Sequence, residues 1–206
     1  MRLPLLPPTR TRKLLALSLF GLLFVPILLL LGLVTLSPCP VRADKPFYPQ
    51  VPSGKDVVAP SAFVSLDPAG RGSTAQIAVV MKIRPGFHVN AREKSADYLI
   101  ATDLKSEIPL GFSAGEVSYP KGKLEHFTFS KDPLNVYQDT VVLKMPLKIL
   151  PAAPLGAQKI PLKLRYQACS TELCLPPATL SIEAVVNVAA SASASKPAHP
   201  ELFKTP

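Results

Sequence analysis

Along the second half of the chain, apolar side chains fall on every other residue. Val141, Leu143, Met145, Leu147 and Ile149 alternate with polar Lys144 and Lys148. Ile160, Leu162, Leu164 and Tyr166 alternate with Lys163 and Arg165, and Leu180, Ile182, Ala184, Val186 and Val188 with Ser181, Glu183 and Asn187. A period of two predicts strands with one dry and one wet face, as antiparallel sheets have. Thr74–Ile83 reads the same way through Ile77, Val79 and Met81, although Val80 is apolar too. Weaker strand signals cover 62–66, 87–90, 112–119 and 136–138. Arg84-Pro85-Gly86 and Asp132-Pro133 mark turns, and only 91–104 suits a short helix. Seven or more short strands within about 130 residues predict an all-β fold, a sandwich of immunoglobulin-like kind.

One stretch breaks the rhythm. Leu14–Leu36 carries no charge over its whole length and follows a basic start at Arg2, Arg10, Arg12 and Lys13. Roughly 20 apolar residues cross a bilayer, and flanking positive charge holds that end in the cytoplasm. Everything after Leu36 is therefore expected outside the cytoplasm. Pro-Val-Arg-Ala at 40–43 offers a signal-peptidase site, while the apolar run is longer than the 7–15 residues of a usual signal peptide. Residues 1–43 thus read as a signal peptide or a retained inner-membrane anchor. A lipoprotein attachment at Cys39 would have Pro38 as a poor neighbour. Residues 44–60, rich in proline, read as a linker, 61–188 as the folded domain, and the Ala/Ser/Pro-rich 189–206 as a disordered tail.

Charge narrows the function classes. The formal net charge is +9 over 206 residues, but five basic residues and no acid fall within 1–43. The other 18 basic side chains face 14 acidic ones and are scattered along the strands. They do not cluster with aromatics as a nucleic-acid surface would. No glycine-rich phosphate loop, Ser/His/Asp set or paired-carboxylate cleft is apparent, and no cofactor is implied.

The chemistry gathers at two cysteines. The chain has three, and cleavage after Ala43 would remove Cys39 and leave Cys169 and Cys174 as a pair. Flanking a four-residue loop, Ser170–Leu173, the two would face each other across a hairpin, close to disulfide geometry. Export favours the oxidised form. Two readings stand side by side. One is a structural clasp, as in a non-catalytic immunoglobulin-like binding module. The other is an exchangeable bond, since so short a loop yields little chain-entropy stabilisation and a surface disulfide is open to thiolate attack. Continuing the alternation through Tyr166 puts Ala168 inward and Cys169 outward. A metal site is disfavoured, because no histidine lies at ligand spacing.

At these residues the sequence resembles the amino-terminal domain of the bacterial thiol:disulfide interchange protein DsbD. Tyr166-Gln167-Ala168-Cys169 and Cys174-Leu175-Pro176-Pro177 carry most of the likeness. Ile83-Arg84-Pro85-Gly86-Phe87-His88-Val89-Asn90, Val117-Ser118-Tyr119-Pro120 and Val136-Tyr137 extend it, over roughly 60–188. The resemblance implies a periplasmic immunoglobulin-like domain. Its cysteine pair would relay electrons from a thioredoxin-like domain to disulfide isomerases and cytochrome c maturation factors. It implies Cys174 as the nucleophile that bonds partners and Cys169 as the resolving thiol. It also implies a shielding loop near 125–132, with Phe127 or Phe129 as its aromatic cap. The family's long members continue into a multi-span membrane domain and a second thioredoxin-like domain, whereas this chain continues into a polar tail.

The remaining candidates are neighbours of the pair. His88, after a Pro-Gly turn, would favour a thiolate if it carried a proton. Tyr166 leads into the cysteine segment. Glu172 in the loop would oppose a thiolate, and His126 and His199 read as surface residues.

Overall fold

A computed structural model describes residues 51–203, so Leu14–Leu36, the 40–43 cleavage site and Cys39 lie outside the described residues. Among the described residues no helix is long and apolar enough to cross a membrane. The strands in chain order are β1 (Val58–Val64), β2 (Ala69–Gly70), β3 (Thr74–Ile83), β4 (His88–Asn90), β5 (Asp103–Ser106) and β6 (Phe112–Ala114). They continue as β7 (Lys123–Glu125), β8 (Leu134–Tyr137), β9 (Thr140–Ile149), β10 (Gly156–Tyr166), β11 (Ala168–Cys169) and β12 (Ala178–Ala189).

Three four-stranded sheets result, in the orders β1-β3-β9-β6, β2-β12-β10-β5 and β11-β4-β8-β7. The first two make an immunoglobulin-like sandwich. Ile77, Val79 and Met81 of β3 and the odd-numbered row 141–149 of β9 are buried. So are Ile160, Leu162, Leu164 and Tyr166 of β10 and Ala184, Val186 and Val188 of β12, and all belong to one hydrophobic cluster. The alternation fixes the register, because a slip of one residue would turn every one of these side chains into water.

The β10–β12 hairpin positions the site. Its ladder runs from Gly156↔Val188 to Tyr166↔Ala178, and the intervening residues 167–177 leave that sheet. On the way out they form β11, which pairs with β4 through Ala168↔Val89 and Cys169↔His88. A 3-10 turn at Gly54–Asp56 supports the detour. The Tyr166 hydroxyl donates to the Gly54 carbonyl at 2.8 Å. A Cβ on Gly54 would lie 2.9 Å from the Pro176 carbonyl oxygen, so the two segments pack backbone to backbone.

Three sequence expectations are corrected here. Residues 91–104 hold no helix. Thr102 is buried and closes this loop, its amide and hydroxyl both donating to the Asn90 carbonyl, at 3.2 and 2.6 Å. The expected linker already belongs to the domain at its end, since Val57 and Val58 are buried core and β1 begins at Val58. Residues 189–203, read from composition as disordered, run back along the first sheet and end in a single helical turn, Pro200–Phe203. Their backbone explains it. Asp67 N–H donates to Lys196, Lys196 N–H to Pro68 and Ala198 N–H to Ser65, at 2.9, 3.1 and 2.8 Å. His199 packs edge-on to Phe63 with ring centroids 4.9 Å apart. Phe63 pairs with Ala78, and this segment lies against β3, which accounts for the burial of both faces of that strand.

Candidate functional site

Cys169 and Cys174 form a disulfide, with Cα atoms 3.9 Å apart. They oppose each other in an antiparallel bridge around Ser170–Leu173, as the hairpin reading expects. Ser170 holds the loop: its amide donates to the Leu173 carbonyl at 2.8 Å, and its hydroxyl accepts from the amides of Glu172 and Leu173 at 3.1 and 3.2 Å. Beyond the bridge, Leu175 N–H donates to the Ala168 carbonyl at 2.8 Å.

The two cysteines have different surroundings. Cys169 is 0% exposed, whereas Cys174 is an exposed residue. The expected outward orientation of Cys169 is therefore wrong. Gln167 breaks the strand between β10 and β11, so the in–out parity of one sheet does not carry into the next. Gln167 is also the joint of this corner. Its side-chain oxygen accepts from the Ile100 amide at 3.3 Å and from the Asn90 side-chain amide at 3.4 Å, and its own amide donates to Leu175 at 3.4 Å.

His88 sits directly across the ladder from Cys169 and is 2% exposed. Burial lowers its pKa from 6.5 to about 4, so it is neutral at pH 7. In this disulfide form His88 therefore lacks the proton that the thiolate-favouring reading requires. Its ring stacks on Phe127 at 3.9 Å between centroids, and Phe127 stacks on Phe129 at 5.4 Å. Thr128, between the two phenylalanines, donates from its hydroxyl to the Thr171 carbonyl of the cysteine loop at 3.1 Å. The segment expected as a cap is thus tied both to His88 and to the disulfide loop. Beside it lies a cleft of about 250 Å³ lined by Pro85, Gly86, Phe87, His88, Phe127 and Thr171, together with Gln138 and Asp139.

Tyr166 is in a different position. Its ring is buried in the sandwich, its hydroxyl is engaged with Gly54, and burial pushes its pKa up to about 12. It braces the corner from below. His126 lies in the cap segment and His199 packs on Phe63, away from the cysteines in the fold. Among the described residues no group of His, Cys, Asp and Glu is arranged to hold a metal. Sequence reasoning missed the parts played by Asn90, Thr128 and Thr171. Asn90 gave the one usable signal, as a polar residue closing an apolar strand.

The model for the family described as thiol:disulfide interchange protein DsbD, N-terminal, matches residues 55–185, more than half of the chain. The chain belongs to that family. The matched range contains all twelve residues from Tyr166 to Pro177 and the whole of the 125–132 segment. Among solved structures, the N-terminal periplasmic domain of ScsB from Proteus mirabilis is similar at 13% identity, with a TM-score of 0.42. The likeness covers 60% of this chain and 45% of that one, so this family member spans less than half of its structural neighbour. No curated protein sequence matches the chain.

Proposed function

We propose that this domain is exported to the periplasm by its apolar leader and relays electrons there through the Cys169–Cys174 disulfide. What supports the reading is the asymmetry of the pair: one cysteine is exposed on a loop and the other buried behind it. A thiolate of a reduced thioredoxin-like donor attacks Cys174 Sγ. The Cys169–Cys174 bond breaks, its electron pair leaves on Cys169 Sγ, and a donor–Cys174 mixed disulfide forms. The donor's second thiolate attacks its own sulfur in that bond, leaves as a disulfide and releases Cys174 as a thiolate.

The reduced pair then acts in the opposite sense. Cys174 attacks the disulfide of an acceptor, such as a periplasmic disulfide isomerase or a cytochrome maturation factor. Cys169 attacks Cys174 Sγ in the resulting mixed disulfide, re-forms the internal bond and releases the acceptor reduced. Two electrons pass, and no cofactor takes part. In this scheme the loop with Phe127 and Phe129 is the cap that limits access between encounters.

Trapping tests the assignment. In the Cys169→Ala chain, Cys174 is expected to accumulate a stable mixed disulfide with a thioredoxin-like partner, visible on a non-reducing gel and lost on reduction. In the Cys174→Ala chain none is expected. A failure of Cys169→Ala to trap any partner would remove the proposal.

A further inference from the structure

Among the described residues, two buried side-chain polar atoms have no hydrogen-bond partner: His88 Nε2 and Asn90 Oδ1. Both belong to β4, the strand paired with Cys169. A buried polar group without a partner is costly, so one beside a reacting bond calls for a reason. Asn90 is otherwise engaged, donating to Ile100 at 3.1 Å and to Gln167 at 3.4 Å. No hydrogen bond engages the His88 ring, which stacks on Phe127 at 3.9 Å and lies parallel to Phe129 at 6.3 Å between centroids.

The register says what lies across the ladder. Directly opposed residues in an antiparallel pair stand on the same side of the sheet, with Cβ atoms about 4.5–5.5 Å apart. His88 and Cys169 are such a pair. The disulfide form offers the imidazole only a divalent sulfur, a weak acceptor. Once the bond opens, the same sulfur carries a full negative charge, a far stronger acceptor in a dry site. A donor left unpaired in the oxidised state would then be satisfied in the mixed-disulfide and reduced states.

Resting on the relay reading above, we propose that neutral His88, through its Nε2–H, supplies the hydrogen bond that stabilises Cys169 Sγ as the leaving thiolate. The contribution is differential: it is absent while the disulfide is closed and present when the electron pair arrives on the sulfur. It needs no protonated imidazole, because a neutral ring still donates from one nitrogen. Phe127 keeps the ring oriented by stacking on its face, so that its edge stays free for the sulfur.

The test uses the full chain and two substitutions that separate donor from shape. His88→Phe keeps an aromatic ring for Phe127 and removes the donor. His88→Gln keeps a side-chain N–H and removes the ring. In the background Cys174→Ser, the acidity of the Cys169 thiol is read from thiolate absorbance against pH. With His88 present it is expected to be about tenfold greater than with His88→Phe, in line with a charge-assisted hydrogen bond. His88→Gln should recover part of that difference. In the chain with both cysteines, His88→Phe should lower the equilibrium constant for reduction by glutathione about tenfold, a shift of about 30 mV.

Equal Cys169 acidity in His88 and His88→Phe chains would overturn the proposal. Should the variants unfold, nitrogen-15 spectra of the unaltered protein decide. Nε2 is expected to carry a proton in both states and to become hydrogen-bonded only on reduction, and an unchanged signal would overturn the proposal. If thiols do not open the unaltered disulfide at all, the relay reading itself fails. If they do and His88→Phe changes nothing, only the role of His88 fails.

Discussion

The two large sheets and the small third one follow opposite rules. In the sandwich, β9 alternates along its whole length and β10 from Lys159 to Tyr166, and their inward rows merge in one core, the short strands β2, β5 and β6 lying at its edges. In the third sheet the strands are two to four residues long, and their buried set includes His88 and Asn90. Both unpartnered buried polar atoms among the described residues are there. A chain that satisfies its local rules in one layer and breaks them in another marks the second layer as the place where chemistry sets the sequence. The sandwich positions the third sheet: the cysteine segment is an excursion from the longest hairpin of the sandwich.

Changes in each layer should therefore separate stability from reactivity. Leu164→Ala, at a fully buried position of β10, is expected to cost about 2–5 kcal/mol in denaturant unfolding. The rate at which dithiothreitol reduces the still-folded protein should stay the same. A large change in that rate would mean that the layers are not separable.

The next effect belongs to the third sheet and depends on pH. His88 titrates near 4 when folded and at its ordinary 6.5 when unfolded, so the unfolded chain takes up the proton first as pH falls. Its contribution is complete above 6.5 and is lost as pH drops toward 4, amounting to about 3 kcal/mol at most. Asp139 lines the same cleft, and burial sets the direction of the His88 shift. His88→Phe should flatten that part of the curve of stability against pH, and an unaltered slope would assign it to other groups.

Gly70→Ala probes the returning C-terminal segment, because the new Cβ would stand 1.8 Å from the Ser191 carbonyl oxygen. Displacing that segment is expected to cost about 1–3 kcal/mol, read by thermal melting, with disulfide reactivity unaffected. The smallest effect falls on the cap. Thr128→Val removes the hydrogen bond to Thr171 and should change stability by only about 0.5 kcal/mol. Reduction by dithiothreitol should nevertheless become severalfold faster. No acceleration would mean that the Thr128 tie does not gate access.

The contrast between layers also decides what could be read from the chain beforehand. Thr74–Ile83, β9, β10 and β12 were legible because a half-buried strand writes its own period into the sequence. The pairing of Cys169 with Cys174 was legible from loop length. The burial of Cys169 was not, because Gln167 moves the chain from one sheet to another and the parity count does not survive the move. Nor was the burial of His88, whose stacking partner Phe127 is remote in sequence. The packing of residues 189–203 was hidden for a further reason. Backbone groups of Lys196 and Ala198 hold that segment, and Ala/Ser/Pro composition says nothing about where carbonyls and amides will find partners.

The unequal exposure of the two cysteines has a consequence for wear. Hydrogen peroxide meets whichever thiolate water can reach, so in the reduced state Cys174 would take the first oxygen and become a sulfenic acid. Cys169, buried directly opposite, would remain a thiol within reach and would condense with it, releasing water, to restore the bond before irreversible acids form. The buried sulfur would thus serve as a built-in repair partner for the exposed one.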